Sequence, residues 1–154
     1  MAETLFYHLE RKTLEDVLPG LLERTREREW RAVVRVGSAE RMASLDAHLW
    51  TYSEESFLAH GTAEENHASR QPIYLTTEDD HPNKAQVLFL VGGAAPADWA
   101  APSLGEFIRI VLLFDGRDPE ALAAARSAWR NAKEAGHDAT YWKQSASGKW
   151  EKQL

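Results

Sequence analysis

The chain of 154 residues contains no cysteine, which excludes disulfides, thiolate zinc sites and a cysteine nucleophile. It also lacks any uncharged run near the roughly 20 apolar residues that a membrane span requires. The best stretch, residues 85–97, is short and broken by two glycines and a proline. Glu3 arrives almost at once and no basic stretch leads into an apolar one, so no cleaved secretory signal is expected and the expected location is cytoplasmic. Positive charge is scarce: 18 Lys and Arg face 24 Asp and Glu, a formal net charge of −6. That balance argues against a surface that grips nucleic acid along its whole length, because phosphate neutralisation is the main sequence-independent source of such affinity.

Several motifs are missing as well. Gly37-Ser38 has no second glycine and no Walker lysine, and Gly92-Gly93 runs into alanines and a proline rather than a clear helix. Both read as tight turns before they read as phosphate loops. No G-x-S-x-G elbow occurs, and no spacing of serine, histidine and aspartate singles out a triad. His48, His60, His67 and His81 lie in or beside one polar stretch with Glu54, Glu55, Glu64, Glu65, Asp79 and Asp80. None falls in an H-x-x-x-H or H-E-x-x-H pair, so neither a metal nor a cofactor is expected. His8 follows an aromatic pair in a strand and reads as a hydrogen-bonded interior or sheet-edge residue rather than a catalyst.

What is present suffices for a core: 44% of residues are apolar, in a length that suits one domain over residues 1–154. Residues 4–9 (TLFYHL) read as a strand, and Thr13 as the N-cap of a helix to about residue 29, with Pro19 inside it as a kink or late start. Residues 31–36 read as a buried strand, followed by the Gly37-Ser38 turn and a helix through Trp50. Periodicity then disappears over residues 51–70, apart from Phe57-Leu58. Residues 71–77, 86–91 and 107–115 read as strands, the last two apolar throughout as in sheets covered on both faces. Asp118-Pro119 starts a helix that Gly136 ends, and residues 137–144 and 149–152 close the chain as strands. Helices alternating with strands in this order predict a three-layer α/β fold, a mostly parallel mixed sheet flanked by helices, Rossmann-like but without a nucleotide loop.

Charge is unevenly placed. Residues 1–125 hold 12 basic and 21 acidic side chains, whereas residues 126–154 hold 6 basic and 3 acidic. Arg126, Arg130 and Lys133 stand at i, i+4 and i+7, so one helical face carries three cations with Trp129 beside them; Tyr141 and Lys143 come from the next strand. Such a face suits an acidic peptide, guanidinium groups forking onto carboxylates while Trp129 or Tyr141 walls an apolar slot. A merely solvated helix face fits the same spacing.

The landmarks also have an order. Phe6-Tyr7-His8-Leu9, Leu18-Pro19, Trp30-Arg31, Leu45-Asp46 with Leu49-Trp50, Ser56-Phe57-Leu58 with His60-Gly61, Gln71-Pro72-Ile73, Pro82-Asn83, Phe114-Asp115, Ala125-Arg126 with Trp129, Gly136-His137 and Tyr141-Trp142 together make the chain resemble the chi subunit of bacterial DNA polymerase III. The resemblance spans almost the whole chain. One departure is Ala59, where relatives commonly have proline before the His60-Gly61 pair.

The resemblance implies a non-enzymatic accessory subunit of the clamp-loader assembly that joins a psi subunit to single-stranded DNA-binding protein. The latter ends in an acidic tail with a terminal aromatic residue and a free carboxylate. Carried over by position, the tail site comprises Arg126, Trp129, Arg130, Lys133 and Tyr141, with Trp129-Arg130 standing where some relatives have Tyr-Lys. The psi face would comprise Trp50, Phe57 and Phe114. A ring such as Phe57 in a polar loop suits a partner anchor, or equally folds back on its own core. Two other function classes compete: a nucleotide-dependent enzyme on a Rossmann-like fold, and a direct single-stranded DNA-binding module using the six tryptophans and the basic end.

Overall fold

Local signals start and stop the helices. Thr13 and Asp16 form a capping box, the threonine hydroxyl accepting from the Asp16 amide at 3.3 Å and the carboxylate from the Thr13 amide at 3.0 Å. Asp118 caps the last helix through the Glu120 amide at 3.0 Å, with Pro119 at its first position, and Gly136 ends it at a φ of 91°. The computed structural model describes residues 3–51, 60–62, 68–145, 147 and 149–153. In chain order its elements are β1 (Glu3–Leu9), α1 (Leu14–Glu27), β2 (Ala32–Val36), α2 (Ala39–Thr51), β3 (Gly61–Thr62), β4 (Ile73–Thr76), β5 (Val87–Val91), β6 (Arg109–Asp115), α3 (Pro119–Glu134), β7 (Asp138–Gln144) and β8 (Trp150–Lys152). Short 3-10 turns occupy Ala68–Arg70 and Pro102–Glu106.

The strands form one sheet in the order β3-β4-β2-β5-β6-β1-β7-β8, parallel throughout except for the β7–β8 pair. Interior strands are buried on both sides, as their unbroken apolar runs predict: β2 and β5 are buried at every position. Successive residues serve opposite layers. Val34, Phe89 and Val111 meet α1 and α2 through Leu18, Leu22, Leu45 and Leu49, whereas Val33, Leu88 and Leu112 meet α3 through Ala125, Ala128 and Ala132. The fold is thus the expected α/β sandwich.

Two points go beyond the sequence reading. Pro19 does not interrupt α1; the carbonyl of Glu15, which a proline at i+4 cannot serve, takes a hydrogen bond from Nε2 of His48 on α2 at 2.8 Å. And β3 lies inside the aperiodic stretch. Two residues are too few to show alternation, and pairing with β4 defines the strand.

Candidate functional site

On the α3 layer, three strands bring rings together beneath the cationic helix face. Phe6 and His8 alternate on β1, Phe114 comes from β6 and Tyr141 from β7, and β1 lies between the other two strands. Trp129 descends from α3 edge-on to both Phe6, centroids 5.4 Å apart at 77°, and Tyr141, at 5.9 Å and 81°. His8 and Tyr141 each contact Phe114, at 5.0 and 6.0 Å. Trp129 and Tyr141, either of which was expected to wall an apolar slot, pack edge to face on each other, and the site is a paved surface with Trp129 half-buried at its centre.

The cations crown this floor. Lys133 sets Nζ 5.0 Å over the Trp129 ring. Arg130 donates from Nη2 to Ser127 at 3.3 Å and is exposed. Arg126 is exposed, makes no hydrogen bond or ion pair among the described residues, and its charge reaches both His8 and Tyr141. Lys143 is committed elsewhere, pairing with Glu10 at 3.1 Å. Of the residues assigned to the tail site, all five meet on this face.

His8 is the member that motif reasoning set aside as interior, and it is buried and hydrogen-bonded as that reading expected. Its Nδ1 lies 2.7 Å from the Tyr141 hydroxyl, and Nε2 stands 3.3 Å from Glu10 without hydrogen-bond geometry. Burial pushes the imidazole below its usual range; Glu10 opposes this, while Lys143 and Arg126 add to it. The ring is therefore neutral at pH 7, and its Nδ1 shares one hydrogen bond with the phenol, whose direction follows the imidazole tautomer. Burial likewise pushes the Tyr141 hydroxyl up, so it stays protonated. The pair fixes the wall beside Arg126.

The residues of the second face do not assemble in the same way. Trp50, at the end of α2, is 46% exposed and lies 4.2 Å from the His60 ring, on the α1–α2 layer. Phe114 is only 7% exposed and belongs to the floor under Tyr141, on the opposite layer. Phe57 falls outside the described residues.

The carboxyl edge of the sheet holds a cavity of about 590 Å³ between the starts of α1 and α3, where β1 and β6 send their helices to opposite layers. Doubly wound folds place ligands at such a switch point. Here the rim offers a phosphate little. Arg41 pairs with Glu15 at 3.0 Å and Arg117 with Asp115 at 3.1 Å, and Asp118 and Glu120 outnumber the remaining lining cation, Lys12. The glycine turns serve packing: a Cβ on Gly37 would lie 2.1 Å from the Gly92 carbonyl oxygen. Among the described residues no three histidine, aspartate or glutamate side chains converge to hold a metal ion, and no helix is long and apolar enough to cross a membrane.

Residues 1–140 match the family model described as DNA polymerase III chi subunit, HolC. A relative from Rickettsia prowazekii (strain Madrid E), named "Probable DNA polymerase III subunit chi", is 28% identical over 120 residues, covering 75% of this chain and 71% of its own length. The family match runs from the first strand through α3 and into β7, taking in the four α3 residues of the cationic face and stopping one residue short of Tyr141, and with it the chain belongs to the DNA polymerase III chi subunit family.

Proposed function

We propose that the chain is a non-catalytic, cytoplasmic accessory subunit of the replicative polymerase that binds the acidic C-terminal tail of single-stranded DNA-binding protein on the α3 face. The observation carrying this reading is Arg126: an exposed guanidinium with no partner among the described residues, standing over a buried aromatic floor on an otherwise acidic protein. Arg126 takes the terminal carboxylate, the tail's aromatic ring lies against the exposed part of Trp129, and Arg130 and Lys133 face the upstream acidic residues. Ordering a disordered tail holds a single copy to the order of micromolar, about −8 kcal/mol, and several tails on one oligomer raise avidity. Titrating a labelled tail peptide at two ionic strengths tests this. Affinity should fall as salt rises, because the charges are exposed, and a peptide lacking its last few residues should not bind. Equal affinity for intact and shortened peptides would overturn the reading.

The link to the clamp loader, through a psi-type subunit, is proposed to run through Trp50. A tryptophan this exposed gains most when a partner covers it. Co-purification of clamp-loader components should drop with Trp50→Ala while tail binding is retained; unchanged recovery would remove this surface from the account.

A further inference from the structure

Five arginines crowd the stretch from Arg24 to Arg35, and two of them do not act within the fold as their neighbours do. Arg26 donates to the Trp30 carbonyl at 2.8 Å, Arg31 to the carbonyls of Ser69 and Asn83, and Arg35 to Asp79 at 2.9 Å. Arg24 and Arg28 are exposed and have no acidic partner among the described residues. Four residues apart at the end of α1, they share one side of the helix.

Opposite them stands Arg109, the first residue of β6. The three guanidinium groups border a notch of about 180 Å³ floored by Val87, Phe89 and Val111 and walled by Trp30 and Tyr7. Arg28 and Arg109 hold their Cζ atoms 5.1 and 5.6 Å from the Trp30 ring, which orients both groups. Arg109 reaches Glu3 at 3.5 Å through Nη2, and its Nε is buried with no hydrogen-bond partner. The charges of Arg109 and Arg24 both reach the Tyr7 hydroxyl. Dipole stabilisation of a helix end accounts for a cation on α1, but not for a third arginine arriving from β6 with an unsatisfied donor.

We propose that this notch takes a phosphodiester of single-stranded DNA. Several guanidinium forks converging on one small space match the oxygens of a phosphate. The strands beneath, β5, β6 and β1, are all interior to the sheet, so the notch offers no open edge for a peptide to join by strand pairing. The net negative body confines the contact to this one place, so the strand is held at one or two phosphates and slips off the rest of the surface. The notch is on the α1 layer, across the sheet from Arg126 and Trp129, so this inference stands independently of tail binding.

The test follows the indole signal of Trp30 and the arginine Nε signals of the intact chain by NMR as a short oligo(dT) is added, with Trp30→Phe identifying the indole. Trp30 and Arg109 should shift, and Arg24→Gln with Arg28→Gln should weaken the response at least tenfold. Both positions are exposed, and an unchanged unfolding temperature for the double variant confirms its fold. Glu3→Gln, which releases Arg109, should strengthen binding a few-fold. The log–log salt slope should be about −0.7 to −1.4, as for one or two phosphates on a single strand. Shifts with inorganic phosphate but not oligo(dT) would overturn the nucleic-acid assignment in favour of a free anion. A response to an acidic peptide alone, shifts confined to Trp129, or no shift at all would overturn the site.

Discussion

Gly37→Ala should lower the free energy of unfolding by about 2 kcal/mol, whereas Gly20→Ala should raise it by about 0.5–1 kcal/mol. The same added methyl acts in opposite directions because its surroundings differ. At Gly37 a Cβ would lie 2.1 Å from the Gly92 carbonyl oxygen, 3.0 Å from the Gly92 carbonyl carbon and 3.3 Å from the Ala94 amide. These are backbone atoms in a turn where Gly92 and Gly93 already hold φ values of 60° and 89°, so no side chain can swing aside. The turns must separate, stretching the bond from the Gly37 amide to the Val91 carbonyl, now 3.2 Å. At Gly20, within α1, nothing lies within 4 Å of the new methyl, and the gain is the entropy that alanine denies the unfolded chain. For a chain of this length each kcal/mol moves the melting temperature by roughly 2–4 °C. Denaturant unfolding of both variants decides the matter; a Gly37→Ala protein as stable as the parent would mean that the turns do not need this contact.

Gly37 also marks where sequence reading reaches its limit. Its role as a turn before a helix is local and was legible; its close approach to Gly92 depends on β2 and β5 being neighbours, which no window of sequence contains. The same division holds elsewhere. Thr13, Asp118 and Gly136 act on amides and carbonyls within four residues, so their types announce the helix ends. Arg126, Trp129, Arg130 and Lys133 are grouped by the helical period and could be named together without a structure. Phe6, His8 and Phe114 join them only because β1 inserts between β6 and β7. That insertion places Phe114 under Tyr141 rather than beside Trp50, since residues on β6 alternate between layers that the sequence alone cannot distinguish. Arg109 stands 81 and 85 positions from Arg28 and Arg24, and no sequence pattern ties it to that helical pair.

The arrangement of rings and cations leads to the second large effect. Arg126→Glu should weaken tail-peptide binding by one to two orders of magnitude, since a hydrogen bond to a charged group contributes about 1.5–3 kcal/mol and the new carboxylate repels the ligand besides. Its affinity should also respond less to salt than the parent's, because one attractive charge has become a repulsive one. Trp129 tests the other half of the site. Trp129→Ala would open a void beside Phe6 and Tyr141 and confuse lost binding with lost stability. Trp129→Tyr keeps a ring on the floor while withdrawing apolar surface from the ligand, so it should weaken binding several-fold with the salt dependence unchanged. The two variants thus separate charge from apolar contact by the slope and not merely by the affinity. Binding by Arg126→Glu that equals the parent's at low salt would show that the tail's carboxylate is held elsewhere, and a salt slope altered equally by both substitutions would mean that ring and charge do not act as separate parts.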